Sequence, residues 1–138
     1  MRHGPYGFGT IVESLVTDPG DVDNLMRHCR YELGLWYGWK QLNLQEVVDN
    51  HQAEKPTNIP ILYISGHELF EFTPEQRAAL KQYLLDGGTL LADACCGREQ
   101  FDVAFRRELG KVLGASEKSG GLTPLPAKHP LYSIHHAI

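Results

Sequence analysis

The chain has 138 residues, thirteen Lys and Arg against seventeen Asp and Glu, and a formal net charge of -4. That length can bury one core without metal or disulfide staples, and the acidic balance with no basic run excludes the phosphate-neutralising surface of a nucleic-acid binder. The longest apolar stretches, around Ile59 to Ile64 and Thr89 to Ala94, are far too short to span a bilayer, and no charged-then-apolar leader opens the chain, so a single soluble domain over 1–138 is expected.

In chain order, short apolar runs alternate with amphipathic segments, without repeats or low-complexity stretches. This is the pattern of βαβ units around a mainly parallel sheet. Thr10 to Val16 reads as a first strand. Asp18-Pro19-Gly20-Asp21 supplies helix-start chemistry for a helix to about Leu33, which Gly34 can cap. Val22, Leu25, Met26, Cys29 and Leu33 follow helical spacing as one stripe, which makes Cys29 an inert core thiol. Leu35 to Leu42 is aromatic-rich, a second strand or irregular edge, and Asn43 with Glu46 forms a capping box for a short helix through Val47 and Val48.

Pro60 to His67 reads as a central buried strand, a continuous apolar run bounded by Pro and Gly. Thr73-Pro74-Glu75-Gln76 combines an N-cap, Pro at the first helical position and Gln at the capping-box position, and the helix it opens ends at Gly87-Gly88. A buried strand over 89–94 then leads through Cys95-Cys96-Gly97 into a helix from about Glu99 to Leu109. Phe101, Phe105 and Leu109 face the core, and Arg106, Arg107 and Glu108 form a solvated face. Residues 110–127 are loop-rich. His129-Pro130-Leu131-Tyr132 begins another element, so a domain lacking its last strands is expected.

Ligands of open α/β sheets gather at the carboxyl ends of the strands, where helix-start amides converge. The exits of strands 60–65 and 89–94 therefore mark a candidate ligand site of Ser65, Gly66, His67, Asp93 and Gly97, and the adjacent Cys95 and Cys96 add two thiols. A buried Asp93 that accepts hydrogen bonds from elbow amides or hydroxyls is the structural reading of that acid.

The strings Tyr63-Ile-Ser-Gly-His67, Phe72-Thr-Pro-Glu-Gln76, Gly87-Gly-Thr-Leu-Leu-Ala-Asp-Ala-Cys-Cys-Gly97, Phe101-Asp102, Phe105-Arg-Arg-Glu108 and Pro126 with His129-Pro-Leu131 resemble an uncharacterised bacterial family of unknown function. That family is grouped with class I glutamine-amidotransferase-like, flavodoxin-like α/β folds. The resemblance covers most of the chain from about residue 20. It implies a three-layer fold, a mainly parallel sheet with helices on both faces. Because relatives often follow membrane-anchoring helices, it also implies a place in a cell-envelope assembly.

Two functions from different classes are open. The first is a non-catalytic module that binds a small ligand or a protein partner. Trp36, Tyr37 and Trp39, with Tyr6 and Phe8, either anchor that partner or cap the open side of the core. The second is a Cys-dependent hydrolase or amidotransferase with Cys95 as nucleophile and His67 as base; Cys96 is the alternative nucleophile, with flanks Ala94 and Arg98 that fit an elbow no better. Cys95 has Gly97 two residues later, as an elbow requires, but Asp93 stands where the other glycine belongs, and its charge opposes thiolate formation. The resemblance implies a late His-x-Glu pair. The nearest string, His129-Pro130-Leu131, has Leu in place of the acid, and His135 and His136 lie near the end.

A metal site built from His67, Asp93, Cys95 and His129 is disfavoured, since successive side chains diverge along an extended backbone. The expectation is no metal and no cofactor.

Overall fold

Four strands form one parallel sheet in the order β2-β1-β3-β4. The computed structural model describes residues 6–11, 20–54 and 59–133, the first segment by its backbone alone. The strands are β1 (Tyr6–Ile11), β2 (Gly38–Leu42), β3 (Ile61–Gly66) and β4 (Thr89–Ala94), and the helices are α1 (Asp21–Glu32), α2 (Leu44–Gln52), α3 (Pro74–Leu85) and α4 (Glu99–Leu113). Single 3-10 turns occupy Cys95–Gly97 and Pro130–Tyr132. The arrangement is compatible with a flavodoxin-like fold. No helix among the described residues is long and apolar enough to cross a membrane.

Both capping boxes read from the sequence form. The Asn43 side chain accepts from the Gln45 amide at 2.8 Å, and the Glu46 carboxylate accepts from the Asn43 amide. At α3, the Thr73 hydroxyl accepts from the Gln76 amide while the Gln76 side chain accepts from the Thr73 amide, with Pro74 at the first position. Each box satisfies two donors that the first turn leaves unpaired. The first strand starts earlier than its apolar pattern implied, at Tyr6, and residues 12–19 lie outside the described residues.

Leu62 and Ile64 of β3 are buried with Leu44, Val47 and Val48 of α2, Ala79, Leu80 and Tyr83 of α3, and Phe101, Phe105, Leu109 and Val112 of α4. These residues form one continuous core on one face of the sheet. Covering β4 on both faces was the expectation, and the structure corrects it. Leu90, Ala92 and Ala94 pack on the core, while Thr89, Leu91 and Asp93 are exposed, because α1 lies against β2 and beside Tyr63 of β3 and leaves that face of β4 open. The α1 stripe is correspondingly thin. Val22 and Met26 are buried, but Leu25 and Leu33 are exposed and Cys29 is only half-buried, so Cys29 is not a core thiol.

Helix α4 runs a turn beyond the expected Leu109. Gly110 does not end it, because the missing side chain there serves packing: a Cβ would stand 2.8 Å from the Glu117 Cα. The segment after α4 folds back over that bare position, and the helix stops instead at Gly114, with a left-handed φ of 67°.

The expected solvated face of α4 is also corrected. Glu108 is fully buried, and its carboxylate accepts from the Phe72 amide at 3.1 Å, Arg77 at 2.8 Å, Arg107 at 3.1 Å and Lys111 at 2.9 Å. Arg107 also donates to the Phe70 carbonyl at 2.6 Å. Burial alone would push the Glu108 carboxyl up. The donors from Lys111, the Phe72 amide, Arg107 and Arg77 outweigh it and hold the group at about 2, below the ordinary 4.5. A carboxyl depressed in the folded state stabilises fully above its ordinary value, and that contribution disappears as pH falls toward the folded value.

The melting temperature is therefore expected to fall between about pH 4.5 and pH 2 in step with protonation of Glu108. Glu108→Gln should lose on the order of 3 kcal/mol at neutral pH and flatten that acid limb in calorimetric melts. A variant that melts like the parent at pH 7 contradicts this role.

Candidate functional site at the carboxyl ends of β3 and β4

The parallel register sets Ser65 opposite Asp93 and Gly66 opposite Ala94. The next residue on each chain is His67 on one side and Cys95 on the other, so strand pairing alone makes neighbours of residues 28 positions apart (95 minus 67). Phe101, in the first turn of α4, presses its ring onto Gly66, where a Cβ would lie 2.6 Å from a ring carbon. Gly66 lets α4 start directly over the end of β3. Phe101 then continues into an aromatic series, its centroid 5.3 Å from that of Phe70 and 6.2 Å from that of Phe105.

Between β4 and α4 the chain turns within three residues. Cys96 takes a left-handed conformation, φ 57° and ψ 24°, which is uncommon for a residue with a side chain and clusters at functional sites. The divergence of adjacent side chains expected from an extended backbone does not hold in this turn. Cys95 Sγ and Cys96 Sγ are 3.6 Å apart, and one ligand atom from each of His67, Cys95 and Cys96 falls within 4.8 Å of the others. Cys96 is exposed, and His67 and Cys95 are half-buried. The Nε2 of His67 is sealed from solvent and has no hydrogen-bond partner.

The remaining candidates are distributed differently. Asp93 is exposed rather than buried, and it accepts a long 3.4 Å hydrogen bond from the Tyr63 hydroxyl; it is outside the three-residue group. Burial raises the Tyr63 phenol above its ordinary range, the Ser65 hydrogen bond opposes this, and the charges of Asp93 and Asp21 add to it. Gly97 is exposed at the end of the turn with φ 66°. His129 caps the short turn at 130–132 by accepting from the Leu131 amide at 3.2 Å, and it stands apart from the thiols. His135 and His136 lie outside the described residues.

A cavity of about 80 Å³ lies beside Tyr63, lined with Asp21, Val22 and Leu25. It is several-fold smaller than an ordinary metabolite pocket. The aromatic cluster does not cap the core: Trp36 is 68% and Tyr37 45% exposed, the Arg30 guanidinium lies 4.8 Å above the Trp36 ring, and Trp39 donates to Asp23 at 2.7 Å. The side chains of Tyr6 and Phe8 are outside the described set.

The chain matches the family model of DUF4159, a domain of unknown function, over residues 13–138. It belongs to that family. No curated protein and no solved structure matches it. The DUF4159 description carries no activity, and these comparisons lend no support to the amidotransferase-like resemblance.

Sequence reading singled out His67, Cys95 and Cys96, and the structure brings one ligand atom of each within 4.8 Å of the others. Sequence reading missed Phe101 as the residue that presses onto Gly66; the signal was Gly66 at the end of β3 together with a helix after the adjacent β4 whose first apolar residue is aromatic. Gly66→Ala is expected to cost about 1–3 kcal/mol through overpacking against Phe101 and to perturb cysteine reactivity. Asp93→Ala, by contrast, should stay within about 0.5 kcal/mol of the parent, as an exposed substitution does. Parallel chemical denaturation of the two variants checks the contrast, and equal stabilities would refute it.

Proposed function

We propose that the domain is a non-catalytic binding module that captures its ligand at the carboxyl ends of β3 and β4. The observation that supports this reading most is the cluster of His67, Cys95 and Cys96 at a partly exposed corner, where the Nε2 of the same histidine is buried without a hydrogen-bond partner. A sealed imidazole nitrogen without a partner carries a desolvation cost on the order of 1–3 kcal/mol, which a bound ligand would relieve. The three-layer flavodoxin-like fold and attachment to an envelope assembly belong to the same proposal; for the fold, the support is that α2, α3 and α4 pack on the core face of the sheet while Val22 and Leu25 of α1 line a cavity with Tyr63, which alternates with the core-facing Leu62 and Ile64.

One observation favours the second reading, a Cys-dependent hydrolase. In nucleophile elbows the strained residue at the strand-to-helix turn is the nucleophile, and here that residue is Cys96, with His67 close by. The group includes no carboxylate to orient the imidazole, which is what favours binding over acyl transfer.

Two-dimensional amide NMR with a library of small polar fragments is expected to move residues 65–67 and 93–97 before any others. Pre-steady-state reaction with an activated acyl ester should show no burst. A burst that disappears in both Cys96→Ser and His67→Asn would replace the binding reading with the hydrolase, and fragment shifts that avoid the corner would remove the binding reading directly.

A further inference from the structure

We infer that His67, Cys95 and Cys96 form a three-ligand site for a thiophilic divalent cation of the zinc class, with solvent in the fourth position. The inference deepens the binding reading and rests on it. A tetrahedral zinc ion with Zn–S bonds of about 2.3 Å holds two thiolates about 3.8 Å apart. The Sγ atoms of Cys95 and Cys96 are already 3.6 Å apart. A ring nitrogen about 2.0–2.1 Å from the same ion would stand roughly 3.6 Å from each sulfur, and the three ligand atoms lie within 4.8 Å of one another, so the site closes on an ion by shifts of about 1 Å or less.

Three further features fit. Two thiolates and one neutral imidazole cancel the charge of a divalent ion, and the soft sulfur pair excludes magnesium and calcium, which demand oxygen. The Nε2 of His67 has no hydrogen-bond partner, and an ion bound at this nitrogen would supply the electron-pair acceptor it lacks. The left-handed backbone of Cys96, a costly conformation for this residue, is what turns the second sulfur toward the first. Cys96 is exposed, so the fourth position opens to water or to an exchangeable ligand.

The test is titration of the reduced 138-residue chain with Co(II). A one-to-one complex with thiolate-to-cobalt charge-transfer absorption and tetrahedral d–d bands is expected, displaced stoichiometrically by Zn(II) and accompanied by release of about two protons per ion if both thiols start protonated. Cys96→Gly keeps the left-handed corner without its penalty, so this variant should fold at least as well as the parent yet bind zinc at least about 100-fold more weakly, beyond the 10–100-fold typical of losing an outer-shell partner. Cys95→Ser and His67→Ala should weaken binding likewise, and Cys29→Ser should leave the titration unchanged. Absence of the charge-transfer band in the parent overturns the inference, as does its persistence in a folded Cys96→Gly or its loss in Cys29→Ser. If the cobalt spectrum is absent while polar fragments still shift residues 65–67 and 93–97, the metal assignment falls and the binding reading stands.

Discussion

One buried carboxylate ties this domain together. Glu108 sits at the centre of α4 with no exposure, and its partners come from three directions: the backbone at Phe72 ahead of α3, Arg77 within α3, and Arg107 and Lys111 on its own helix. Taking a carboxylate out of water costs several kcal/mol, and only a nearly complete set of charged donors offsets that cost. The arrangement therefore tolerates little sliding of α4 along α3. Arg77 and Lys111 also approach Glu71, at 3.8 Å and 3.2 Å, so the loop that leads into α3 is held by the same cluster.

Anchoring α4 decides what happens at its other end. With the middle of the helix locked, Phe101 in its first turn lands on Gly66 at the end of β3, and the three residues that join β4 to α4 have no room for an extended path. The chain meets that constraint with a 3-10 turn and a left-handed Cys96. Strand register then sets His67 beside Cys95, and the strained turn sets Cys96 beside both. The donor cluster is thus a consequence of helix docking and strand pairing together, two features the fold needs in any case.

The location also explains why metal-ligating side chains gather at this corner. Residues on the core face of β3 and β4 are small or aliphatic, and the aromatic ring of Phe101 covers Gly66 at the end of β3. Polar groups are displaced past the strand ends, where His67 and the thiols are only partly covered. Next to β2, Trp36 and Tyr37 are exposed, with the Arg30 guanidinium over the Trp36 ring. Membership of DUF4159 agrees with a domain whose chemistry must be read from such local geometry.

Much of this was legible without coordinates, because it is decided within a few residues. Thr73 with Gln76 and Asn43 with Glu46 announce helix starts through bonds that span two or three positions, and β3 and β4 announce themselves as apolar runs of strand length bounded by Pro and Gly. The parallel pairing of β3 with β4, and so the placement of His67 near Cys95, followed from the capped helix between them. The rest depended on partners distant in sequence. Glu108 reads as solvent-facing until Phe72, 36 residues away, and Arg77, 31 residues away, surround it. Gly110 reads as a helix end until Glu117 folds over it. The two thiols read as divergent until α4, fixed elsewhere, forces Cys96 through φ 57°. Local hydrogen bonding and periodicity specify which segments become strands and helices; burial of a charge and the twist of a single corner are set by what packs against them, and only the tertiary structure supplies that.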